Sequence, residues 1–272
     1  MMDFHENLRA YSQENLRACQ LKQLSILQEI DKICKRHHLD YWLDGGTLLG
    51  AVRHGGFIPW DDDIDIAMGY DDMLKFEEIA AHELPAHLAI QSPRNDPSSK
   101  EPIVKVRDLN SLYIEHGDNF ESDYLKGIYV DIFPFTKHPG ISKSMIKRLA
   151  KGISKSNSIL HHLHRYSLRS FAEFFWFGAQ YYLYTGLWNL ACCLVKSKRY
   201  ANIPIINGYG ITHERDQVLP VSVIKFEGLE FSAPHNPDQY LKNIYRNYME
   251  IPPVEKRKFH SVYIQPELVK KD

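Results

Sequence analysis

The sequence lacks an excess of charge of either sign, since 34 acidic residues nearly balance 33 lysines and arginines. The chain as a whole therefore presents no cationic field for a nucleic acid and carries no acidic tail. Any site for a polyanion must be local. Repeats and low-complexity tracts are also lacking. With 44% hydrophobic and 25% charged residues among 272, the chain has the composition of a folded globular protein and not that of a disordered one.

Cysteine is scarce, and its spacing does not indicate a metal site. None of the four cysteines forms a CxxC pair, so no zinc site is expected, and the adjacent Cys192 and Cys193 are not expected to bridge to each other. Residues 1–10 lack the basic and then apolar order of a secretory signal peptide. We therefore expect a reducing compartment and a cytoplasmic location.

Apolar periodicity predicts mixed α and β structure before residue 140. Apolar side chains about three residues apart predict an amphipathic helix within 5–38, and further helices are predicted at 47–54 and 71–83. Strands are predicted from short runs rich in β-branched and aromatic residues, which are LDYWL, DIDIAM, IVKVRD, SLYIEH and GIYVDIFPF. Near the C-terminus, VIKFEGLEFSAP is strand-like and a helix is predicted near 238–248.

Residues 140–200 contain no strand pattern and are predicted to form a helical insertion. Its stretch 171–195 contains one formal charge, Glu173, and is long enough to span a bilayer. Spanning is disfavoured, because Glu173 and several polar side chains would lie in hydrocarbon. A helix buried in the protein is the favoured interpretation. The alternative is a helix that rests on a membrane surface, because basic residues flank the aromatic ones: Arg169, Lys196, Lys198 and Arg199.

The most informative segment has aspartate at positions 61, 62, 63 and 65. Because side chains alternate along a strand, Asp61, Asp63 and Asp65 are expected on one face. Carboxylates this close raise one another's pKa and cost stability unless a cation neutralises them. A hard divalent metal is therefore predicted, with Mg²⁺ first and Mn²⁺ as the alternative. A solvated acidic turn is disfavoured, because aromatic and β-branched residues flank the segment.

A phosphate cradle is predicted near this metal. Gly45, Gly46 and Thr47 follow one predicted strand and open a helix, so they offer backbone N–H groups, a helix dipole and a hydroxyl to an anion. Metals on paired carboxylates most often hold phosphate oxygens. Arg53, between the glycines and the acidic segment, suits bidentate contact with a phosphate.

Three further charged residues lie on predicted strands. Asp131 falls between apolar neighbours, where an unpaired carboxylate would be costly, and its alternative role is to end the strand before Pro134. Lys105 and Arg107 alternate on one face of IVKVRD and are predicted to neutralise a diphosphate, the alternative being an exposed strand face.

The block YWLDGGTLLGAVRHGGFIPWDDDIDIAM resembles the signature of the LicD family. That family is similar to the fukutin-related sugar phosphate transferases and resembles the nucleotidyltransferase superfamily in fold. The resemblance continues through GIYVDIFPF, YMEIPP and EKRKFH. It implies an α+β fold class, with a nucleotidyltransferase-like mixed sheet flanked by helices and a helical, aromatic-rich insertion. The implied organisation is an N-terminal helix and catalytic core over 1–139, the insertion over 140–200, and a segment over 201–272 that completes the catalytic domain.

The superfamily pattern of paired glycines, Asp-x-Asp and a third acidic residue is matched by the glycine turn, by Asp63 and Asp65, and by Asp131. The resemblance implies that these aspartates are catalytic and hold the metal, with Asp131 either completing the metal site or accepting the proton of the attacking hydroxyl. The interval from Gly46 to Asp63 is longer than is usual in the superfamily. The implied donor-phosphate residues are Gly45, Gly46, Thr47, Arg53, Lys105, Arg107, Arg257 and His260.

LicD-like proteins are implicated in transferring phosphocholine from CDP-choline to a sugar hydroxyl of a surface glycopolymer, such as a teichoic acid precursor of the cell wall or lipopolysaccharide. The resemblance implies a phosphotransferase of this kind with a lipid-linked acceptor. The composition of 171–199 suggests a peripheral contact there with the inner face of the membrane, where such an acceptor would be met. A nucleotidyltransferase, or another sugar-phosphate or polyol-phosphate transferase with a CDP-activated donor, is the alternative. Choline cannot donate hydrogen bonds, so aromatic faces should bind it. The aromatic candidates are Trp42, Trp60, Tyr113 and Tyr129.

Overall fold

The structure is a computed structural model that describes residues 14–96, 99, 102–118, 125–161 and 167–268. Its helices are α1 (Leu16–His37), α2 (Gly45–His54), α3 (Tyr70–Glu83), α4 (Lys143–Leu160), α5 (Leu168–Leu194), α6 (Arg215–Val218) and α7 (Pro237–Tyr245), with a 3₁₀ turn at Val254–Lys256. The helices predicted around 5–38, 47–54, 71–83 and 238–248 are therefore confirmed, apart from the first residues of the 5–38 prediction, which lie outside the described part.

The central sheet is mixed. Its strands are β1 (Tyr41–Leu43), β2 (Asp65–Gly69), β3 (Leu88–Gln91), β4 (Val104–Asp108), β6 (Tyr129–Lys137), β7 (Arg199–Asn202) and β8 (His213–Glu214). The order is β1-β2-β6-β4-β3, and β7 joins the far end of β6 and pairs with β8. Strands β2 and β6 are parallel, whereas the other pairs are antiparallel. The predicted α+β class, a mixed sheet flanked by helices, is confirmed.

An aromatic core fills the space between this sheet and the C-terminal helix α7. Trp42 of β1 is fully buried and packs edge-on against Phe135 of β6, with ring centroids 5.1 Å apart. Tyr240 of α7 stacks on His213 at 3.8 Å. Burial of each such side chain contributes roughly 1.5–3 kcal/mol. The sequence beyond residue 200 is therefore part of the same core as the first half.

Two hairpin-like pairs bring the C-terminal part back to the acidic segment. Strands β9 (Ser222–Phe226) and β10 (Leu229–Ala233) are joined by Glu227 and Gly228, whose φ values of +53° and +79° suit a two-residue hairpin turn. The Glu227 carboxylate accepts from the N–H of Phe57 at 3.0 Å and from Arg17 at 2.6 Å. Strand β11 (Ser261–Gln265) pairs with β5 (Leu112–Glu115).

The insertion forms a helical hairpin. Helices α4 and α5 pack around a small cluster of buried residues, which are Ile146, Leu149, Ala150, Ile153 and Trp188. A Cβ on Gly152 would lie 2.6 Å from the Tyr184 ring, so this glycine allows the two helices to approach closely. His138, just beyond β6, meets Trp188 edge-on at 4.7 Å and so ties the hairpin to the core.

Most of α5 is open to solvent, so the favoured prediction of a buried helix is wrong. Trp188 is its single buried residue, because α4 covers just one side of it. Its exposed apolar side chains are Leu168, Phe171, Phe174, Phe175, Trp176, Tyr182, Leu183, Leu187, Leu190 and Leu194. Within the described ranges, no helix combines the length and the apolar character needed to cross a bilayer. All four cysteines are free.

Candidate active site

Helix α2 begins at a turn made of Asp44, Gly45 and Gly46, directly after β1. Gly45 has φ +52°, in the left-handed region that favours glycine. A Cβ on Gly45 would lie 3.0 Å from Asp65 Oδ2, and one on Gly46 would lie 2.8 Å from Asp61 Oδ2. The two glycines therefore let two carboxylates approach the N-terminus of a helix, where the backbone dipole favours negative charge.

The glycine turn is fixed by buried hydrogen bonds. Asp44 Oδ1 accepts from the N–H of Gly45 and from the hydroxyl of Tyr240, both at 2.7 Å. Tyr240 in turn accepts from Trp42 Nε1 at 3.3 Å. The Thr47 hydroxyl accepts from the N–H of Asp65 at 2.8 Å, which ties the start of β2 to the helix. Trp42 and Thr47 therefore both act in holding the turn.

The acidic residues approach the turn from two parallel strands. Asp65 is the first residue of β2 and lies beside Asp131 in the parallel register of β2 and β6. The preceding residues, 61–64, form a loop and not the predicted strand. Asp61 and Asp63 nevertheless lie close enough to each other and to Asp65 for mutual repulsion to raise the pKa of Asp61 and of Asp65. The expected convergence of carboxylates is thus produced by a loop and two strands.

Burial makes this cluster electrostatically costly. Burial is the largest cause that raises the pKa of Asp61 and of Asp65 well above the usual range, and repulsion from the neighbouring carboxylates raises both pKa values further. The pKa of Asp131 is raised to about 6, again chiefly by burial and against the opposing effect of Lys105. Among the described residues, neither Asp61 nor Asp65 forms an ion pair. These two carboxylates therefore lack a neutralising partner.

The two basic residues predicted on β4 have different surroundings. Lys105 Nζ lies 2.8 Å from Asp131 Oδ1 and donates to Oδ2 at 3.0 Å, with the ring of Tyr129 3.8 Å beneath it. Arg107 is buried and donates to Gln91 and, at 2.8 Å, to the carbonyl of Gly127. Lys105 belongs to the cluster, whereas Arg107 is engaged in the core.

Asp62 connects the acidic loop to the C-terminal segment. Its Oδ2 accepts from the N–H of Ser261 at 2.8 Å and from the hydroxyl of Ser261 at 2.6 Å, and the N–H of His260 lies 3.1 Å away. His260 Nδ1 is 3.3 Å from Asp62 Oδ1 and 3.0 Å from Asp63 Oδ2. Hydrogen bonds to Asp62 and then Asp63 raise the pKa of His260 to about 11, so the structure places the predicted residue His260 against the cluster as a cation.

The donor set fits a hard divalent cation, because it consists of carboxylate oxygens whose repulsion is only partly compensated. Among the described residues, one set of three potential ligands has all its atoms within 4.8 Å, namely Asp62, Asp63 and His260. The predicted trio of Asp63, Asp65 and Asp131 does not meet this distance, and two of its members form ion pairs, Asp63 with His260 and Asp131 with Lys105. Asp62 is already saturated by hydrogen bonds from Ser261 and His260.

The other predicted arginines lie near the rim. Arg53 donates to the carbonyls of Tyr248 at 2.9 Å and Glu250 at 3.2 Å, and so holds the YMEIPP segment. Arg257 stacks on the half-buried ring of Trp60 at 3.9 Å. Burial is the main cause that lowers the pKa of Arg53, and the nearby charge of Asp61 opposes this effect.

Three of the four aromatic candidates are core residues. Trp42, Tyr113 and Tyr129 are at most 2% exposed, and Tyr113 meets Tyr129 edge-on at 5.0 Å. Their faces are covered in this structure because each packs within the central core cluster. Trp60 is the one candidate with an accessible ring, and Arg257 covers part of it.

Two glutamines that the sequence did not single out support the acidic loop. Gln20 and Gln23 of α1 donate to the carbonyls of Asp61 and Asp62 at 2.9 and 2.8 Å. Gln23 is fully buried on the apolar face of α1. A glutamine on the apolar face of a predicted helix was the signal in the sequence that could have identified this role, because a buried amide requires a hydrogen-bond partner.

Comparison with known proteins identifies relatives along almost the whole chain. The family described as LicD/FKTN/FKRP, nucleotidyltransferase domain, matches residues 38–174. The lipopolysaccharide cholinephosphotransferase LicD of Haemophilus influenzae is 26% identical over 91% of this chain and 96% of its own length. The human ribitol 5-phosphate transferase FKRP is 31% identical over 37% of this chain but only 18% of its own length. The mannosyltransferase regulator 4 of Saccharomyces cerevisiae is 24% identical over 48% of this chain.

Proposed function

Since the chain belongs to the LicD family of transferases, we propose that it transfers phosphocholine from CDP-choline to a sugar hydroxyl of a lipid-linked glycopolymer precursor. The observation that carries the proposal is the cluster of Asp61, Asp63 and Asp65 against the start of α2, with Asp131 beside it. The similarity to the Haemophilus influenzae enzyme, which extends over 96% of that enzyme, favours phosphocholine as the transferred group.

The transfer is an in-line displacement at the phosphorus that bears choline. A bond forms from the sugar oxygen to this phosphorus as the bond to the CMP oxygen breaks, and the sugar hydroxyl loses its proton. Asp131 is suited to accept that proton where it does not complete the metal site, because its pKa of about 6 is close to neutrality. The N–H groups at the start of α2 and the Lys105 ammonium are suited to hold the phosphate oxygens.

A divalent metal ion, Mg²⁺ in the first instance, would supply charge neutralisation of the diphosphate when bound. We expect Asp63, Asp65 and Asp131 to hold it, with Asp61 close enough to contribute. His260 and Lys105 pair with Asp63 and Asp131 in the structure, so both side chains must give up part of that contact to a metal. A phosphate oxygen from the donor is a natural new partner for each of them.

The position of attack tests the proposal directly. CDP-choline is incubated with the protein and Mg²⁺ in ¹⁸O-water without an acceptor, so that slow hydrolysis reports the phosphorus attacked. Label in phosphocholine and unlabelled CMP would support the proposal, whereas label in CMP would indicate nucleotidyl transfer. Asp63→Asn and Asp65→Asn should each lower CMP release by at least about 100-fold, while Asp71→Asn, at an exposed position on α3, should not.

Transfer of a polyol phosphate is the second candidate, favoured by the 31% identity to FKRP over 37% of this chain. CDP-glycerol and CDP-ribitol in the same assay would distinguish the two. A higher kcat/KM with either polyol donor than with CDP-choline would assign the protein to polyol phosphate transfer.

The exposed surface of α5 supports a peripheral membrane contact through 171–199. Residues 140–200 carry ten lysines and arginines but one acidic residue, although the chain as a whole is balanced. Aromatic side chains at headgroup depth and basic residues facing anionic lipids both favour binding, with about 1 kcal/mol for each basic residue near the surface. A location at the inner face of the membrane would bring the enzyme to a lipid-linked acceptor.

Co-sedimentation with vesicles tests this contact. Binding to phosphatidylglycerol vesicles at low salt should weaken at high salt and in a Lys196→Gln, Lys198→Gln variant, but not in a matched Lys32→Gln, Lys225→Gln variant. Arg199 is left intact because it donates to the carbonyl of Ile141. Absence of binding at low salt, together with a dimer in solution, would show that α5 contacts a second copy of the chain.

A further inference from the structure

A cavity of about 180 Å³ lies beside the carboxylate cluster, between the start of α2 and the far half of β6. Asp44, Gly45 and Asp65 form one end of it. Its other walls are mostly apolar or aromatic, and include Phe133, Phe135, Ile206, Tyr209 and Tyr240. We propose that this cavity, and not the buried candidates Trp42, Tyr113 and Tyr129, binds the quaternary ammonium headgroup of the donor. The inference rests on the proposed phosphocholine transfer and assigns its headgroup site.

Size favours a headgroup over the nucleoside. Cavities for drug-sized ligands measure about 300–1000 Å³, so about 180 Å³ suits a group of only a few heavy atoms. Because Asp65 belongs both to the cavity and to the cluster, a group in the cavity would be attached to the phosphate that lies at the cluster. In the proposed transfer, the phosphate attacked at the cluster is the one that bears choline.

Charge favours a cation. Two of the described lining residues are aspartates, and none is lysine or arginine. His213, which also lines the cavity, is neutral near pH 7, because burial lowers its pKa to about 3. The cations of the site contact other members of the cluster, Lys105 at Asp131 and His260 at Asp63. A positive headgroup in this cavity would therefore meet two acidic residues and, among the described lining residues, no lysine or arginine.

The chemistry of the walls favours a group that forms no hydrogen bonds. Phe133 and Tyr209 present partly open rings, and ring faces attract a quaternary ammonium. The Asn207 side chain is engaged with Ile211, because its Oδ1 accepts from the Ile211 N–H at 3.0 Å and its Nδ2 donates to the Ile211 carbonyl at 2.7 Å. Among the described side chains that line the cavity, Asn202 Oδ1 is the one buried atom without a partner. A polyol with several hydroxyls would find few acceptors other than the two carboxylates.

The loop that carries Tyr209 is held by these same contacts. Asn207 is buried, and its two bonds to Ile211 close the loop across Gly210, whose φ is +70°. The backbone of Tyr209 is therefore braced where this residue lines the cavity, although the residue is 84% exposed. An exposed tyrosine on a braced loop is suited to contact a ligand.

Calorimetry with CDP-choline and CDP-glycerol tests the assignment, because the two donors share the CDP group. The wild type should prefer CDP-choline, and Tyr209→Leu and Phe133→Leu should each lose about tenfold of that preference, which corresponds to 1.4 kcal/mol. Tyr209→Phe keeps the ring and should retain the preference. Saturation-transfer NMR with choline alone provides a second measurement, in which the N-methyl signal should weaken in both leucine variants.

The outcomes of these experiments distinguish a failure of the cavity assignment from a failure of the proposed phosphocholine transfer. If CDP-choline is turned over but both leucine variants keep the wild-type preference and the wild-type choline signal, the cavity assignment is overturned and phosphocholine transfer stands. If choline gives a signal that both leucine variants lose, but no CMP is released from CDP-choline, the cavity assignment stands and the reaction does not. A wild type that prefers CDP-glycerol, with the preference lost in the leucine variants, overturns the assignment of a cationic headgroup.

Discussion

Asp62 and Asp63 are neighbours in the sequence, yet the structure gives them opposite roles in stability. The Asp62 side chain is 1% exposed and receives the hydrogen bonds of His260 and Ser261. Asp63 is 16% exposed and lies in the repelling cluster, with His260 as its one ion-pair partner among the described residues. We predict that Asp62→Ala destabilises the fold, whereas Asp63→Asn leaves the fold intact and abolishes turnover.

The magnitude follows from the contacts that Asp62→Ala removes. Hydrogen bonds to a charged group are worth about 1.5–3 kcal/mol each, and breaking a buried charged pair costs about 3–5 kcal/mol in total. The N–H groups of Ser261 and His260 would lose their acceptor, and the attachment of β11 would weaken. For a chain of this size, a loss of that order lowers Tm by roughly 10 °C.

The pKa of Asp62 adds a pH dependence. Burial would raise this pKa, but hydrogen bonds from His260 and Ser261 outweigh burial and lower it. A carboxyl with a lowered pKa stabilises the fold above its unfolded value of about 3.9 and loses that contribution as pH falls through the folded value. The gap in stability between wild type and Asp62→Asn should therefore narrow in acid.

Urea unfolding of the wild type, Asp62→Ala, Asp62→Asn and Asp63→Asn is followed by tryptophan fluorescence. Measurements at pH 7 give the loss of stability, and measurements at pH 3 give its pH dependence. CMP release measures activity. Asp71→Asn is the matched control, because Asp71 is exposed on α3 and outside the cluster. Equal unfolding midpoints for wild type and Asp62→Ala, or an equal loss of stability in Asp63→Asn, would refute this division of roles.

Gly46→Ala should lower CMP release, because its Cβ would lie 2.8 Å from Asp61 Oδ2 and would displace that carboxylate, and unchanged CMP release would show that the reaction does not depend on the position of Asp61. Gln23→Leu should cost about 1–3 kcal/mol in urea unfolding, since the carbonyl of Asp62 loses a buried donor; no loss would show that water replaces the amide. Arg53→Lys keeps the charge but loses the planar guanidinium, whose Nη1 donates to two carbonyls and whose other nitrogens could contact a phosphate, so the affinity for CDP-choline should fall, and an unchanged affinity would make Arg53 purely structural. Burial lowers the pKa of His138 to about 4, so the unfolded chain binds the extra proton and the fold loses stability as pH falls from about 6.5 to about 4. Between pH 7 and pH 5, the free energy of unfolding of His138→Gln should therefore fall by about 2 kcal/mol less than that of the wild type. Equal decreases in the two proteins would contradict this.

The parts of the site that the sequence predicted are those set by local patterns. The glycine turn, the acidic segment and Asp131 could be located because each sits next to a predicted strand or helix. The role of Asp62 could not be predicted from alternation, because its partners lie 198 and 199 residues away. The same holds for Asp44, which Tyr240 bonds across 196 residues.

The aromatic residues show why the sequence alone does not reveal which rings are accessible to a ligand. Trp42 and Tyr129 belong to strands that are buried on both faces of the sheet. A sequence motif does not reveal this burial, because it depends on elements that are distant along the chain. Helix α5 shows the opposite error. Its apolar sequence predicted burial, but among the described residues α4 and a few side chains near His138 cover just one side of it, so most of the apolar surface remains exposed. Burial depends on what the rest of the chain supplies as a partner.

The long-range contacts also make the site depend on completion of the whole fold. Arg53 with Tyr248, Asp44 with Tyr240 and Asp62 with Ser261 each join the signature block to the last forty residues of the chain. Closing a loop of this length has an entropic cost, which grows only slowly with length, so several such contacts together are needed to offset it. The carboxylate cluster itself opposes folding, because its repulsion appears only when the carboxylates converge. The C-terminal segment therefore supplies the stability that the cluster removes, and its strand β11 fixes His260 where a compensating positive charge is required.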